Sequence, residues 1–122
     1  MNGYRLSLGR EGERLAGLYL QKSGYRIIER NFRFRGGEID IIARQEEYLV
    51  FVEVKTRSSL AYGVPAAAVD IRKQRQIIQT ARFYMVKRQI KEVAVRFDVV
   101  AILLPRGGGK ALIELIPHAF TA

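Results

Sequence analysis

Apolar positions along this chain recur first at helical spacing, then at every second residue, then at helical spacing again. Leu8, Gly12, Leu15, Ala16 and Tyr19 lie three and four apart and Gly24 follows as a stop. That pattern predicts a helix over about residues 7–23. "YRIIERNFRF" reads as a strand and is broken by the pair Gly36-Gly37; residues 38–44 and 48–56 predict two more strands joined across Glu46-Glu47. A loop, "RSSLAYGVPA", is marked by Gly63 and Pro65. A second helix opens behind Asp70 as N-cap, with Ile71, Ile77, Ile78, Ala81, Tyr84 and Met85 on its apolar face and Arg72, Lys73, Arg75, Arg82, Lys87 and Arg88 supplying charge. Residues 93–104 form a strongly apolar strand, "RGGGK" a turn, and residues 111–116 a final strand. The order helix, three strands, helix, two strands predicts one small mixed α/β domain over residues 1–122.

The two strands of the central hairpin carry acids where apolar residues would suffice: Glu38 and Asp40 on one, Glu53 on the other, with Lys55 two residues on. A turn centred between Glu46 and Glu47 pairs residues whose numbers sum to 93, so Asp40 faces Glu53 and Glu38 faces Lys55. Alternation then sends these four side chains to one face and Ile39, Ile41, Val52 and Val54 to the other. Opposed residues have Cβ atoms about 5 Å apart, where two carboxylates repel by roughly 3 kcal/mol at an effective dielectric near 20. A divalent cation bridging Asp40 and Glu53 offsets that repulsion more fully than Lys55 alone, and hard oxygen ligands without Cys or His favour Mg²⁺ or Mn²⁺. The alternative is a set of exposed cross-strand ion pairs, Glu38 with Lys55 above all.

Charge narrows the partner. Lys and Arg number 21 against 12 acids, a net charge of +9, which fits a polyanion, nucleic acid first among them. With no cysteine and one histidine, His118, neither a thiolate zinc site nor a cysteine nucleophile is available. No apolar run approaches the roughly 18 residues of a membrane helix, and "MNGYRLSLGREGERLAG" lacks the apolar segment of a signal peptide. A cytoplasmic location and no membrane partner are expected.

Asp40 followed by Glu53-Val54-Lys55 resembles the PD-(D/E)XK nuclease signature, with "EID" where that family often has Pro-Asp. "GREGERLAGLYL", "RNFRFRGGEIDIIA", "FVEVKTR", "RFDVVAI" and the closing "HAF" look like the YraN-like family of small bacterial proteins, over nearly the whole chain. The resemblance implies a restriction-endonuclease-like fold similar to archaeal Holliday-junction resolvases, with a central mixed five-stranded sheet flanked by helices, a site on the Asp40/Glu53/Lys55 face, and a further acid from the first helix, Glu13. Small or apolar residues at i+3, i+4 and i+7 (Ala16, Gly17, Leu20) also put Glu13 at the border of the buried face, though an exposed helix glutamate is the plainer reading.

The expected activity is metal-dependent hydrolysis of DNA phosphodiesters, structure-selective on branched DNA. Asp40 and Glu53 hold Mg²⁺ or Mn²⁺ with help from Glu13 and the Val54 carbonyl, Lys55 orients water or stabilises the transition state, and Glu38 positions Lys55. Arg30, Arg33, Arg35, Arg57, Lys73 and Arg75 are candidates for phosphate contacts; a solvated face accounts for them equally well. The loop over residues 58–64 either closes over substrate or merely connects. Arg96 and Asp98 pair locally, and His118 packs near the terminus. A homodimer is expected by analogy with resolvases. The competing readings are a catalytically weak or inactive nucleic-acid-binding protein on a nuclease fold, and an RNA-binding module that leaves the acids unexplained.

Overall fold

A computed structural model describes residues 3–59 and 69–122 of the chain. The elements are α1 (Gly3–Lys22), β1 (Arg26–Phe34), β2 (Gly37–Gln45), β3 (Tyr48–Arg57), α2 (Ile71–Lys87), β4 (Ala94–Leu103) and β5 (Leu112–Phe120), the predicted order. From residue 60 onward the loop expected before α2, with Gly63 and Pro65, lies outside the described residues.

Both helices end for local reasons. Gly24 takes φ +92° behind α1, so the Tyr25 N–H reaches the Leu20 carbonyl at 2.9 Å and the Gly24 N–H reaches that of Gln21 at 3.2 Å, a left-handed cap that glycine adopts without strain. α2 starts where the Asp70 carboxylate accepts from the Lys73 N–H at 2.9 Å.

The strands lie in the order β1-β2-β3-β4-β5. β1–β2, β2–β3 and β4–β5 pair antiparallel, while β3 and β4 run parallel, a connection that needs the long crossover through α2. The β1–β2 and β2–β3 turns have two residues each. Arg35 and Gly36, with φ of 49° and 80°, make the first a turn with positive φ at both centres, matched to strand twist. Arg35 therefore belongs to the turn rather than sharing a strand face with Arg33. In the second turn Glu46 takes φ 54°, and the expected register holds from Gln45↔Tyr48 to Ile41↔Val52.

Alternation along β3 divides the core in two. Leu49 and Phe51 join Ile39, Ile42 and the α2 residues Ile77, Ala81 and Tyr84 on one face. Val50 and Val52 join Ile41, Ala43 and the α1 residues Ala16 and Leu20 on the other. Two assignments change. Ile39 packs with the α2 cluster instead of with Ile41, because alternation along β2 is interrupted at Asp40. Ile71 stands 58% exposed at the start of α2, and Val69, ahead of the cap, takes the inward place. Each helix also approaches the sheet through a glycine: a Cβ on Gly12 would collide with Thr56 Oγ1, and one on Gly37 with Thr80 Oγ1.

β4 is central rather than an edge, and residues 96–102 are buried. It carries the one buried ion pair among the described residues. Arg96 donates from Nε to Asp98 Oδ1 and from Nη2 to Asp98 Oδ2, both at 2.9 Å, and from Nη1 to Gln45 Oε1 at 2.8 Å. The Tyr25 hydroxyl donates to Asp98 Oδ2 at 2.6 Å while accepting from Arg96; burial, first of all, holds that phenol well above its ordinary pKa. β5 runs on past the expected end at Ile116. Its register slips by two between Val99↔Ile116 and Phe97↔Phe120, a bulge around Pro117, which has no N–H to give a ladder. The bulge turns the His118 N–H onto Asp98 Oδ1 at 3.2 Å and its ring edge-on to Tyr48, a packing role.

Replacing Asp98 with Ala strands the Arg96 charge in the core. Urea unfolding should show a loss of about 3–5 kcal/mol with the denaturant slope unchanged.

Candidate functional site

β2 and β3 pair as far as Ile41↔Val52 and then separate, whereas β3 stays paired with β4 through Arg57↔Leu103. At the point of separation the Asp40 side chain turns into the gap and accepts from the Val54 N–H at 2.8 Å. A carboxylate replaces the missing strand partner, which places it beside Glu53 and takes it largely out of water.

Burial first, then the Glu53 carboxylate, and more weakly Glu13 and Glu38 push the Asp40 pKa up to about 8; the Val54 N–H opposes them. The cations nearby serve Glu53 instead. Lys55 Nζ lies 3.5 Å and Lys73 Nζ 3.7 Å from Glu53 Oε2, and Glu53 is 5% exposed. Lys73 stands in the first turn of α2, where no acid is present and where a cation works against the helix dipole by about 0.3–1 kcal/mol. Its approach to Glu53 offsets that cost.

β1 supplies a second layer. Asn31 takes φ 54° between the pairs Arg30↔Ile41 and Phe32↔Ile39, which puts it level with Asp40. Its Nδ2 donates to Glu13 Oε1 at 2.9 Å and to Glu38 Oε2 at 3.3 Å, linking α1 to β2 around the site. Glu38 also accepts from Arg33 Nε at 3.0 Å. Its partners are therefore Arg33 and Asn31, not Lys55 as expected, because the strands have already parted at that level.

The structure thus brings Asp40, Glu53 and Lys55 together and holds Glu13 within electrostatic reach of Asp40 through Asn31. Among the described residues no three carboxylate or imidazole groups converge into a ready ligand cluster. Of the cations expected on phosphate, Lys73 joins the site. Arg33 is paired with Glu38, Arg57 donates to the Thr56 carbonyl at 3.1 Å, and Arg30 lays its guanidinium against Gly17 of α1. Arg75 is exposed on α2, and Arg35 lies over the Phe34 ring at 5.0 Å. Sequence reading missed Asn31. An asparagine inside a strand of alternating Arg and Phe is the signal, since Asn is poor in strands and tolerant of left-handed backbone.

The donor set is Asp40, Glu53 and the backbone oxygen of Val54, all hard oxygens around a carboxyl that is costly to ionise by itself. That chemistry fits Mg²⁺ or Mn²⁺.

Fold and site define a small mixed α/β protein with a carboxylate pair and two ammonium groups at the open end of its central hairpin. Residues 12–102 match the Uncharacterised protein family UPF0102, and the chain belongs to that family, the one its YraN-like motifs indicated. It is 52% identical over 115 residues to a UPF0102 protein of Trichlorobacter lovleyi, covering 93% of this chain and 90% of the relative. A UPF0102 protein of Syntrophotalea carbinolica is 46% identical over 120 residues, covering 98% and 96%, and one of Clostridium botulinum is 45% identical over 114 residues, covering 93% of each. No helix among the described residues is long and apolar enough to cross a membrane.

Because the folded pKa of Asp40 lies above its unfolded value, the native state holds the proton more tightly and loses stability as pH rises from about 4 to 8. Asp40→Asn keeps an acceptor for Val54 and removes the charge. In a chelator it should be more stable than the parent at pH 8, by on the order of 2 kcal/mol, with the gain vanishing near pH 4 in thermal melts.

Proposed function

We propose that the chain is a metal-dependent endonuclease with a restriction-endonuclease-like fold, hydrolysing phosphodiester bonds in DNA. The observation that carries this reading is the Asp40–Glu53 pair, Glu53 buried and Asp40 partly so, with Lys55 beside it at the parting of two strands. A pure binding protein gains nothing from two carboxylates held in mutual repulsion, whereas a phosphodiesterase needs such a pair.

Asp40, Glu53 and the Val54 carbonyl would hold Mg²⁺ or Mn²⁺, which when bound supplies a water of lowered pKa and offsets charge on the scissile phosphate. Water and substrate oxygens would complete the shell, in keeping with the absence of a third carboxylate in contact. The remaining work falls to the chain itself. Lys55, 3.5 Å from Glu53, would orient the attacking water or meet charge growing on phosphate oxygen. Lys73 and the dipole of α2 receive the adjoining phosphate. Asn31 fixes the positions of Glu13 and Glu38 beside the site by donating to both. Arg75 and Arg57 extend the cationic surface along the backbone without reading sequence, so selectivity for branched or interrupted DNA fits better than sequence-specific cutting.

The lack of a compact three-carboxylate cluster favours one second reading, a nucleic-acid-binding protein on the same fold without cleavage. Calorimetric titration with Mn²⁺ separates the two. Binding should be present in the parent and lost in Asp40→Asn and Glu53→Gln, and Lys55→Met should bind Mn²⁺ yet cut labelled branched DNA about 10²–10³-fold more slowly. Tight DNA binding with no Mn²⁺ uptake, even beside a non-cleavable DNA, would assign the chain to the second reading.

A further inference from the structure

A cavity of about 380 Å³ opens between the β1–β2 turn and α2, lined by Phe34, Arg35, Gln79, Arg82, Phe83 and Val86 among others, with no acid among the described residues of its wall. Phe34 and Phe83 stack nearly parallel, at 10°. The Arg35 guanidinium lies over Phe34, so a flat, cationic group already occupies part of this π surface. Val86 at the rim is 74% exposed. The walls are firmly placed: Gln76 Nε2 donates to the Gly36 carbonyl at 3.0 Å, and Gly37 meets Thr80 with no room for a Cβ. A second hollow continues around the turn past Arg33 to Glu38, which reaches the carboxylate site through Asn31.

Aromatic faces, guanidinium groups, side-chain amides and the absence of acids are what a nucleobase with its phosphate requires. An apolar protein segment would not use the two arginines, and an acidic one would leave the rings idle. A paired base cannot enter, because its faces are covered by neighbours and its edge by its partner.

We infer that this cavity receives an unpaired base of a DNA strand whose phosphates run along Arg33, Arg35 and Arg82 toward the carboxylate site. The inference rests on the reading of the chain as a DNA nuclease and gives that reading its substrate feature, a strand with a base out of the stack.

The test is equilibrium binding, with chelator present, to two duplexes that differ only in a bulged 2-aminopurine. The bulged duplex should bind about tenfold more tightly, with quenching of the 2-aminopurine fluorescence. Phe83→Leu, which keeps apolar volume, and the exposed Gln79→Ala together guard against misfolding. Phe83→Leu should bring the two duplexes to within about threefold and reduce the quenching, with affinity for the paired duplex unchanged. Equal binding of both duplexes by the parent, or a preference that survives Phe83→Leu, overturns the inference and leaves the nuclease reading standing. Tighter binding of the same strand as RNA overturns its assignment to DNA. Failure to bind any DNA overturns both.

Discussion

The hydrogen bond from the Val54 N–H to the Asp40 carboxylate organises this structure more than any other contact. Two antiparallel strands that stop pairing in mid-sheet leave backbone groups to satisfy, and a buried orphan of that kind costs about 1–3 kcal/mol. Here a side chain does it, and the side chain is an acid. The strand opening and the siting of the carboxylate are therefore one event. Once Asp40 is drawn in beside Glu53, the surroundings have to manage negative charge. Lys55 and Lys73 converge on Glu53, Asn31 adopts a left-handed backbone to hold Glu13 and Glu38, and Asp40 itself keeps its proton toward pH 8.

An opening of this kind needs a fixed end, and the sheet has one. Around the closed turn of the β2–β3 hairpin, Gln45, Arg96, Asp98 and Tyr25 form a fully bonded cluster, with Arg96 also lying over Tyr25 and Tyr48. Among the described residues no buried side-chain polar atom lacks a partner, so the cluster carries its charge without leaving a group unpaired. β3 is then secured at one end by this cluster and along its whole length by β4. Only its β2 side is free to part, and there Asp40, Glu53 and Lys55 gather.

Local chemistry made much of this legible. Periodicity, the stop at Gly24 and the cap at Asp70 gave element order, and the hairpin sum of 93 gave the register as far as Ile41↔Val52, because both depend on neighbours in sequence. What could not be read depends on where the regular rules lapse. Ile39 changes face because β2 is irregular at Asp40, Lys55 exchanges its expected partner for Glu53 because the strands diverge, and β5 continues past Pro117 because a bulge absorbs the missing N–H. Asn31 came into view only through tertiary approach, and Lys73, expected on phosphate, showed its pairing with Glu53 only there.

The two glycine–threonine contacts bear on how much change the site tolerates. Gly12 touches Thr56 where α1 crosses β3, and Gly37 touches Thr80 where β2 meets α2. On each face of the sheet, a single hydrogen atom in place of a methyl sets the thickness of the layer next to the carboxylates. These glycines act as spacers, not as hinges. An added methyl at either position has to displace the threonine it meets, and Glu13 rides on one of the helices concerned and Lys73 on the other. The gap that holds the site is thus gauged from both sides by residues that touch none of its chemistry.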